Sequence, residues 1–505
     1  MKRFLYILSL LPLGLTAQNM YNVVPLFEND LAGTARFVGM GGSMSALGAD
    51  LSTMGTNPAG MAIYRLNDLS LTLGLDAKYN KATYLDEVTK SNSTSTMLDN
   101  FSVVFSSKRD GKTLKYLNFG LGYRQRNNLN SAFEMSGIAD IYSQQYVMEQ
   151  LYRNNKFDHN NLDGWMYDSF KHSWLTLLAA EAYLCDSTGT HFLTYPDTTL
   201  VWMPDDIAYY EKSTGGVNTV DFNISANFND RIYLGATIGV SFVDYNRYSW
   251  YAESDAYGNI YELENNKYLK GSGFDLKLGA IFRPFKYSPF KIGLSFHTPT
   301  WYSLKDYSTA TITSWDGYRI STDNSECFNG TLAVNENLRT PWRLNASMSY
   351  TFGTYLALNA EYEYANYAQS AFTANGRLYK AQNEEIGYNL KQQHIARVGA
   401  ELNFDRYALR AGYNYLSAPF ASGAYKELYN AAITETSTEY MNSYEKNVAT
   451  AGIGYKGSVF YFDVAYMYEI QRAEFFPFYD SEWTNPGAAV TRTNHSFVAT
   501  VGMRF

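Results

Sequence analysis

The chain has 505 residues and a formal net charge of −8, and this acidic balance argues against nucleic acid as a partner. It contains 45 Tyr and 37 Gly but only 2 Cys, and 16% of its residues are aromatic. Beyond the N-terminal segment no apolar run reaches the roughly 18 residues that a membrane helix needs, whereas short alternating runs in a Tyr- and Gly-rich chain are typical of transmembrane β-barrels.

Residues 1–17 have the pattern of a secretory signal peptide. Lys2 and Arg3 precede an apolar run from Phe4 to Leu15, and Ala17 is a small residue at the expected cleavage point. The apolar run is too short for a transmembrane anchor. The sequence therefore predicts that the mature protein works outside the cytoplasm.

Residues 18–65 follow neither helical nor strand periodicity. Asp50 is suited to cap a short helical turn, and Pro58 pushes Asn57 into an extended conformation that ends such a turn. We predict a compact plug, or hatch, although a flexible Gly/Ala/Ser leader would have a similar composition. The residues expected to shape and gate the hatch are Gly41, Gly42, Asp50, Asn57, Pro58, Ala59 and Gly60.

The hatch segment resembles a known family. The run GMGGSMSALGAD, which ends at Asp50, and the run TNPAGMA that follows are similar to the N-terminal hatch of the long-chain fatty acid transporter (FadL) family, which includes TodX-type channels for aromatic hydrocarbons. The triplet Asn57-Pro58-Ala59 matches the hallmark of that family. The resemblance covers only the N-terminal part of the chain, and it implies a barrel whose hatch controls the passage of hydrophobic small molecules.

Residues 66–505 alternate between apolar and polar side chains, beginning with the strand from Leu66 to Asn80. In this strand Leu69, Leu71 and Leu73 share one face, which would contact lipid in an outer-membrane barrel. We predict an all-β fold, a transmembrane antiparallel barrel of about 14 strands with the hatch in its lumen. Charges on the opposite faces are expected to form structural ladders across a wet lumen. The predicted strands are about 66–80, 99–108, 114–126, 217–228, 231–247, 271–283, 290–299, 341–352, 355–367, 392–404, 407–416, 445–456, 459–471 and 494–505.

The connections alternate between short turns and long loops, which predicts periplasmic turns and long external loops. The longest loop, 127–216, has helical spacing at Ile138–Tyr152 and Ser173–Leu184. These helices could cap the barrel mouth or pack only on other loops. Cys185 and Cys327 both fall in predicted external loops, so an oxidising compartment would permit a disulfide between them.

The chemistry of the chain indicates a transporter rather than an enzyme. The six His residues have no metal-ligand spacing, no cofactor motif is present, and we expect neither a metal nor a catalytic site. FadL-family members release substrate sideways through a break in the third strand. The corresponding strand here contains Asn118, Gly120 and Gly122, and its two glycines would permit a kink.

We therefore predict a channel in the outer membrane of a Gram-negative cell for the passive uptake of hydrophobic small molecules, either long-chain fatty acids or aromatic hydrocarbons. Its expected surroundings are outer-membrane lipid and lipopolysaccharide. The C-terminal Phe505 resembles the signal read by the barrel-assembly machinery. The alternative is a surface binding protein, such as a haem receptor or an adhesin, that acts through its external loops.

Overall fold

The computed structural model describes residues 20–28, 30–111, 113–139, 143–148, 151, 174–182, 184, 204–255, 258–314, 319–323, 334–374, 377–426, 428, 435–479 and 486–505. The predicted signal peptide and both cysteines, Cys185 and Cys327, lie outside these residues.

Strands make up most of the described chain. They are β1 (Asp68–Tyr84), β2 (Glu87–Lys108), β3 (Leu114–Asn128), β4 (Ser131–Ile138), β5 (Asp206–Phe228), β6 (Ile232–Asp255), β7 (Gly258–Phe282), β8 (Lys291–His297), β9 (Trp301–Ser314), β10 (Arg319–Asp323), β11 (Val334–Arg339), β12 (Arg343–Phe352), β13 (Leu356–Asn366), β14 (Ala371–Ala374), β15 (Arg377–Leu378), β16 (Gln392–Phe404), β17 (Tyr407–Leu416), β18 (Tyr440–Lys456), β19 (Phe460–Phe476) and β20 (Ala488–Arg504).

Over the described residues these segments form a closed antiparallel barrel of fourteen strands. Four barrel strands are interrupted, so that β3 continues as β4, β8 as β9, β11 as β12 and β13 as β14, while β10 and β15 are short additions. The barrel closes because β1 pairs along one edge with β2 and along the other with β20. The predicted fold class is confirmed.

Side chains on the barrel strands alternate between the outside and the lumen. On β1, Leu71 and Leu73 are 44% and 57% exposed, whereas Ser70 and Thr72 are buried inside the barrel. The outward apolar run on this strand extends from Leu69 to Tyr79. A rise of ~3.3 Å per residue and a tilt of roughly 40° give this run a height of roughly 25 Å, which is the height of the apolar band of outer-membrane barrels. This band is called the apolar belt below.

Several strands run further than the alternating pattern predicts. Strands β1 and β2 meet at a tight turn around Leu85, where the sequence predicts a loop over residues 81–98. Strand β5 begins at Asp206 and β7 at Gly258, both inside predicted loops. Beyond the apolar belt the outward side chains are mostly polar, and several inward ones, such as Tyr209 and Leu263, are apolar and buried. The apolar-out pattern therefore ends there although the backbone pairing continues. The barrel therefore extends beyond the belt on the external side.

The helical segments are few and short. They are α1 (Met20–Phe27), α2 (Ala35–Gly39), the 3₁₀ turns Leu51–Gly55 and Pro58–Ile63, α3 (Trp174–Glu181), the 3₁₀ turn Tyr367–Gln369 and α4 (Lys380–Asn389). None of the helices in the described part of the chain has the length and hydropathy to cross a membrane. The first four segments lie within the barrel, and their side chains are mostly buried.

Helix α3 lies in the predicted helical stretch of the longest loop. Its Trp174, Leu175 and Leu178 are buried in one apolar cluster with inward side chains of the extended strands, among them Tyr209 and Phe475. The helix therefore covers the external mouth of the barrel, which was one of the two predicted alternatives. The other predicted helical stretch is helical at residues 145–148, whereas Ile138 at its start is the last residue of β4.

Candidate functional site

The hatch is shaped by the residue types that the sequence singles out. Asp50 caps the first 3₁₀ turn by accepting a hydrogen bond from the Ser52 amide at 3.0 Å, and the hydroxyl of Thr34 donates to the same carboxylate. Gly41 and Gly42 have φ angles of 63° and 69°, a left-handed backbone that side chains with a Cβ rarely adopt. These turns fold the hatch tightly enough to fit inside the lumen.

Asn57, Pro58 and Ala59 form the point at which the hatch meets β6 and β7. The Asn57 side chain accepts from the Ala59 amide at 3.1 Å and donates to the carbonyl oxygen of Ala280 on the wall at 3.4 Å. It also donates to Ser45 at 2.8 Å, which joins the two halves of the hatch. The triplet is therefore bonded both to the hatch and to the barrel.

Two wall glycines, Gly235 and Gly279, provide the space for this triplet. They lie directly opposite each other on β6 and β7. A Cβ atom on Gly235 would lie 2.4 Å from the carbonyl of Pro58, and one on Gly279 would lie 2.1 Å from the Asn57 side-chain oxygen. We call this pair the glycine floor. The sequence analysis did not identify this pair. The only clue to it in the sequence is that both glycines fall on the lumen side of their strands.

Other glycines serve the same purpose around the lumen. A Cβ on Gly399 would lie 2.3 Å from the carbonyl oxygen of Met40, and one on Gly412 would lie 2.3 Å from the amide nitrogen of Gly41. Gly60 is packed within the hatch, where a Cβ would lie 2.6 Å from the Thr53 hydroxyl. At Gly399 and Gly412 the wall therefore contacts backbone atoms of the hatch.

Asn118, Gly120 and Gly122 of the third strand also face the hatch. Asn118 donates to the carbonyl oxygens of Met61 and Tyr64 at 2.8 and 3.0 Å, and both glycines lie against the Met54 side chain. The backbone pairing with β2 and β5 continues through all three. The backbone ladder is therefore unbroken at these residues, and the space that the glycines leave is filled by the hatch.

Charged groups hold the hatch from several sides. Arg36 of α2 donates to Glu401 at 2.8 Å, and His297 lies 2.6 Å from the carbonyl oxygen of Thr56. Burial alone would lower the pKa of Arg36, but the Glu401 carboxylate beside it raises the pKa above its ordinary value. Glu401 also accepts from Arg410, which in turn donates to Asp463. These pairs form the predicted ladders across the lumen.

Above the hatch lies a cavity of about 230 Å³ at the external end of the lumen. Helix α1 forms part of its floor. Its lining includes the aromatic residues Tyr21, Phe133, Phe420, Tyr440 and Phe475. It also includes the charged residues Glu28, Lys78, Arg247, Lys446, Glu469 and Arg492. The cavity is therefore amphipathic, with both aromatic and charged side chains in its lining.

The cations of this cavity differ in their partners. Arg247 pairs with Glu439, and Lys446 lies 3.4 Å from Glu469. Arg492 makes no ion pair with any described residue, and its only contact of hydrogen-bond type is with the Met441 sulfur at 3.9 Å. A guanidinium next to an aromatic surface is a suitable partner for the carboxylate of an amphiphile.

The barrel wall has a seam between β2 and the third strand. Pairing between them ends at Asn100 and Arg124, whereas β2 stays paired with β1 up to Glu87. In the described chain, the edge of β2 at residues 87–99, which lies on the external side of Asn100, has no backbone ladder with β3 or β4. This edge begins opposite Thr72 on β1, within the apolar belt. We call this unpaired stretch the seam, and it starts beyond the glycines predicted to form the kink.

The seam is closed from inside by side chains and by the hatch. Lys78 donates to the carbonyl oxygen of Asn128 at 2.6 Å, and the Thr89 hydroxyl accepts from the Ser136 amide at 3.3 Å. The Asp30 amide donates to the carbonyl oxygen of Arg126 at 3.0 Å. The N-terminal segment thus occupies part of the free edge of the third strand.

Comparison with known proteins agrees with this architecture. No protein-family model matches the sequence, and no curated protein matches it. A solved structure of a FadL homologue from Pseudomonas aeruginosa has a TM-score of 0.54 at 11% sequence identity, covering 95% of this chain and 99% of that chain. The solved structure of the toluene transporter TodX from P. putida has a TM-score of 0.51 at 13% sequence identity, covering 94% of this chain and 99% of the TodX chain.

The CymD monoaromatic hydrocarbon channel gives a TM-score of 0.51 at 12% identity, with 95% of this chain and 99% of that chain covered. At these identities the likeness shows the fold. The predicted resemblance to FadL and TodX proteins is confirmed at that level.

Proposed function

We propose that this protein is an outer-membrane channel for the passive uptake of hydrophobic small molecules, with the hatch controlling passage. The observation that carries the proposal is the amphipathic cavity, which lies between the covered mouth and the hatch and next to the seam. The neighbouring folds belong to a FadL homologue, a toluene transporter and a monoaromatic hydrocarbon channel. The apolar belt supports placement in an outer membrane.

The proposed path runs from the external mouth into the cavity and then out through the seam into the membrane. An apolar molecule that leaves at the level of the belt enters lipid without crossing water. The seam is held by side-chain hydrogen bonds in place of a backbone ladder, and each such bond contributes only about 0.5–1.5 kcal/mol. Local opening there therefore costs less than breaking a paired strand.

The hatch is suited to move because part of its contact with the wall is made by backbone atoms on glycines. Backbone atoms resting on glycines can shift without the repacking of large side chains. In this proposal Asn57 acts as the pivot, with the other predicted hatch residues (Gly41, Gly42, Asp50, Pro58, Ala59 and Gly60) giving the turns their shape. Gly120 and Gly122 contribute to the opening indirectly, because a shift of Met54 would release the strand that leads to the seam.

Within this class of substrates we infer that a carboxylated aliphatic chain fits better than a bare hydrocarbon. The aromatic side chains of the cavity suit an alkyl chain, and Arg492 offers the charged partner. Replacing Arg492 by Gln should weaken binding of a long-chain fatty acid about tenfold, because a hydrogen bond to a charged group contributes roughly 1.5–3 kcal/mol. Binding is measured with purified protein and a fluorescent fatty acid.

The methyl ester of the same fatty acid provides the matched control, since it lacks the negative charge. Its binding should change less than twofold in the Arg492→Gln variant. Equal losses for acid and ester would show that Arg492 does not recognise the carboxylate. In whole cells the wild-type protein should accelerate uptake of the fatty acid relative to an empty-vector strain. If it accelerates neither a fatty acid nor an alkylbenzene, the channel proposal fails, and a surface binding function would take its place.

The proposed exit predicts that locking the seam blocks transport but not binding. Thr89 and Ser136 face each other across the seam, so cysteines at these two positions should form a bridge in a background where Cys185 and Cys327 are replaced by Ser. Uptake should fall to the empty-vector level under oxidising conditions and return after reduction. Each single-cysteine variant serves as the control. Full uptake with the bridge formed would place the exit elsewhere.

A further inference from the structure

The outward face of the barrel carries three cations in one row at its external edge. Lys81 of β1 lies directly opposite Lys90 of β2 on one side and opposite Thr491 of β20 on the other. Thr491 lies opposite Arg472 of β19. The three cationic side chains are exposed, and they lie in one register row that crosses four adjacent strands. They are called the cationic row below.

The cationic row has no acidic partner in the described part of the chain. None of its members forms an ion pair there, and the acids nearest to Arg472 in the register, Glu445 and Glu474, do not pair with it. Glu474 instead accepts a hydrogen bond from the Tyr444 hydroxyl at 2.7 Å. Like charges directly opposite each other on an antiparallel pair have Cβ atoms ~5 Å apart and destabilise the sheet. A bound anion would remove this repulsion.

An aromatic groove lies immediately below the row, at the edge of the apolar belt. Tyr79, two residues before Lys81, packs edge-on against His495, with ring centroids 5.8 Å apart. The Tyr466 hydroxyl lies 2.7 Å from the His495 ring nitrogen, and Phe497 completes the outward groove. Aromatic side chains of this kind mark the level of lipid head groups. A molecule on the row would therefore have its apolar part beside this groove.

We propose that the cationic row and the groove bind a phosphorylated glycolipid of lipid A type from the outer leaflet. The inference rests on the proposed outer-membrane placement. Clusters of Lys and Arg next to a membrane recognise anionic head groups, and phosphate accepts several charge-assisted hydrogen bonds. From Lys90 to Arg472 the row spans three strand spacings, roughly 14 Å. That span suits a head group with two separated phosphates better than one with a single phosphate.

A second pair of opposed lysines offers a matched control. Lys270 of β7 and Lys305 of β9 are also exposed and directly opposite each other. Lys270 additionally lies opposite Asp244 of β6, so an acid accompanies this pair. The double variant Lys270→Gln/Lys305→Gln therefore removes two outward cations without changing the cationic row.

The experiment titrates the purified full-length protein in detergent with diphosphoryl lipid A and follows the bound lipid by native mass spectrometry. The double variant Lys81→Gln/Lys90→Gln should bind roughly 30-fold more weakly than wild type, and Arg472→Gln roughly fivefold more weakly. The matched control variant should stay within about twofold of wild type. Heat-modifiable migration on gels verifies that each barrel is folded.

Equal losses in the two double variants would overturn the proposal, because any outward cations would then suffice. Equal affinity for phosphatidylglycerol and for diphosphoryl lipid A would overturn the choice of a phosphorylated glycolipid. Displacement of the bound lipid A by millimolar inorganic phosphate alone would overturn it too, because the site would then be one for free phosphate. Substrate uptake is not part of this readout. A failure here therefore leaves the channel proposal intact, and a failure of fatty acid uptake leaves the lipid site testable.

Discussion

Replacing Leu278 by Arg should destabilise the assembled barrel by about 2–4 kcal/mol. Leu278 is 46% exposed on the outward face of β7, and it lies between Phe274 at the external end of the apolar belt and Phe282 at the other end. A guanidinium in the middle of the belt would have to reside in hydrocarbon or distort the bilayer around it. The measurement is the urea dependence of folding into lipid vesicles, followed by heat-modifiable migration.

The control for this substitution must add the same charge outside the belt. Tyr287 in the turn between β7 and β8 is 89% exposed, so Tyr287→Arg should cost no more than about 1 kcal/mol. The adjacent Gly279 is unsuitable as a lumen-side control, although the sequence alone makes it attractive, because a side chain there collides with Asn57. Equal stability of Leu278→Arg and Tyr287→Arg would contradict the assignment of the outward face to lipid.

Adding a methyl group to the glycine floor should displace the hatch while leaving the barrel folded. In Gly279→Ala the new Cβ would lie 2.1 Å from the Asn57 oxygen, and in Gly235→Ala it would lie 2.4 Å from the Pro58 carbonyl. Neither position is compatible with the docked triplet, and overpacking of this kind typically costs 1–3 kcal/mol. We expect leakage of a small sugar through reconstituted protein to rise several-fold in each variant, since the cost shifts the hatch toward an undocked state.

The matched control is Gly239→Ala, another lumen-facing glycine. The three atoms nearest to its Cβ would belong to Lys277, Asp275 and Asp221, which all lie on wall strands. This variant should lower barrel stability without raising leakage. Proteolysis gives a second readout, because an undocked hatch becomes cleavable while the barrel stays protected. Unchanged leakage and protection in both glycine-floor variants would show that the triplet is not what locks the hatch.

The sequence by itself determined the fold class, the strand order within the apolar belt and the presence of a hatch. Alternation with period two is a local property, and a shift by one residue would move every side chain of a strand to the opposite face. Leu71 and Ser70 can therefore be assigned to opposite faces of β1 without any tertiary information. The hatch was recognisable because its segment lacks the alternation of a strand and because its glycine-rich run and the triplet Asn57-Pro58-Ala59 resemble the FadL-family hatch. The caps at Asp50 and Asn57 are equally local.

Only the tertiary structure decided how these parts meet. The contact between Asn57 and Gly279, the seam beyond Asn100 and the row formed by Lys81, Lys90 and Arg472 each join residues that are distant in the chain or fall on different strands. Such contacts depend on the register of every strand around the closed barrel, which no single strand encodes. The external extensions of the strands were missed for a related reason. Beyond the lipid the apolar side chains lie on the inward face, against the helix that covers the mouth, so the apolar-out pattern that marks the belt ends although the backbone pairing continues.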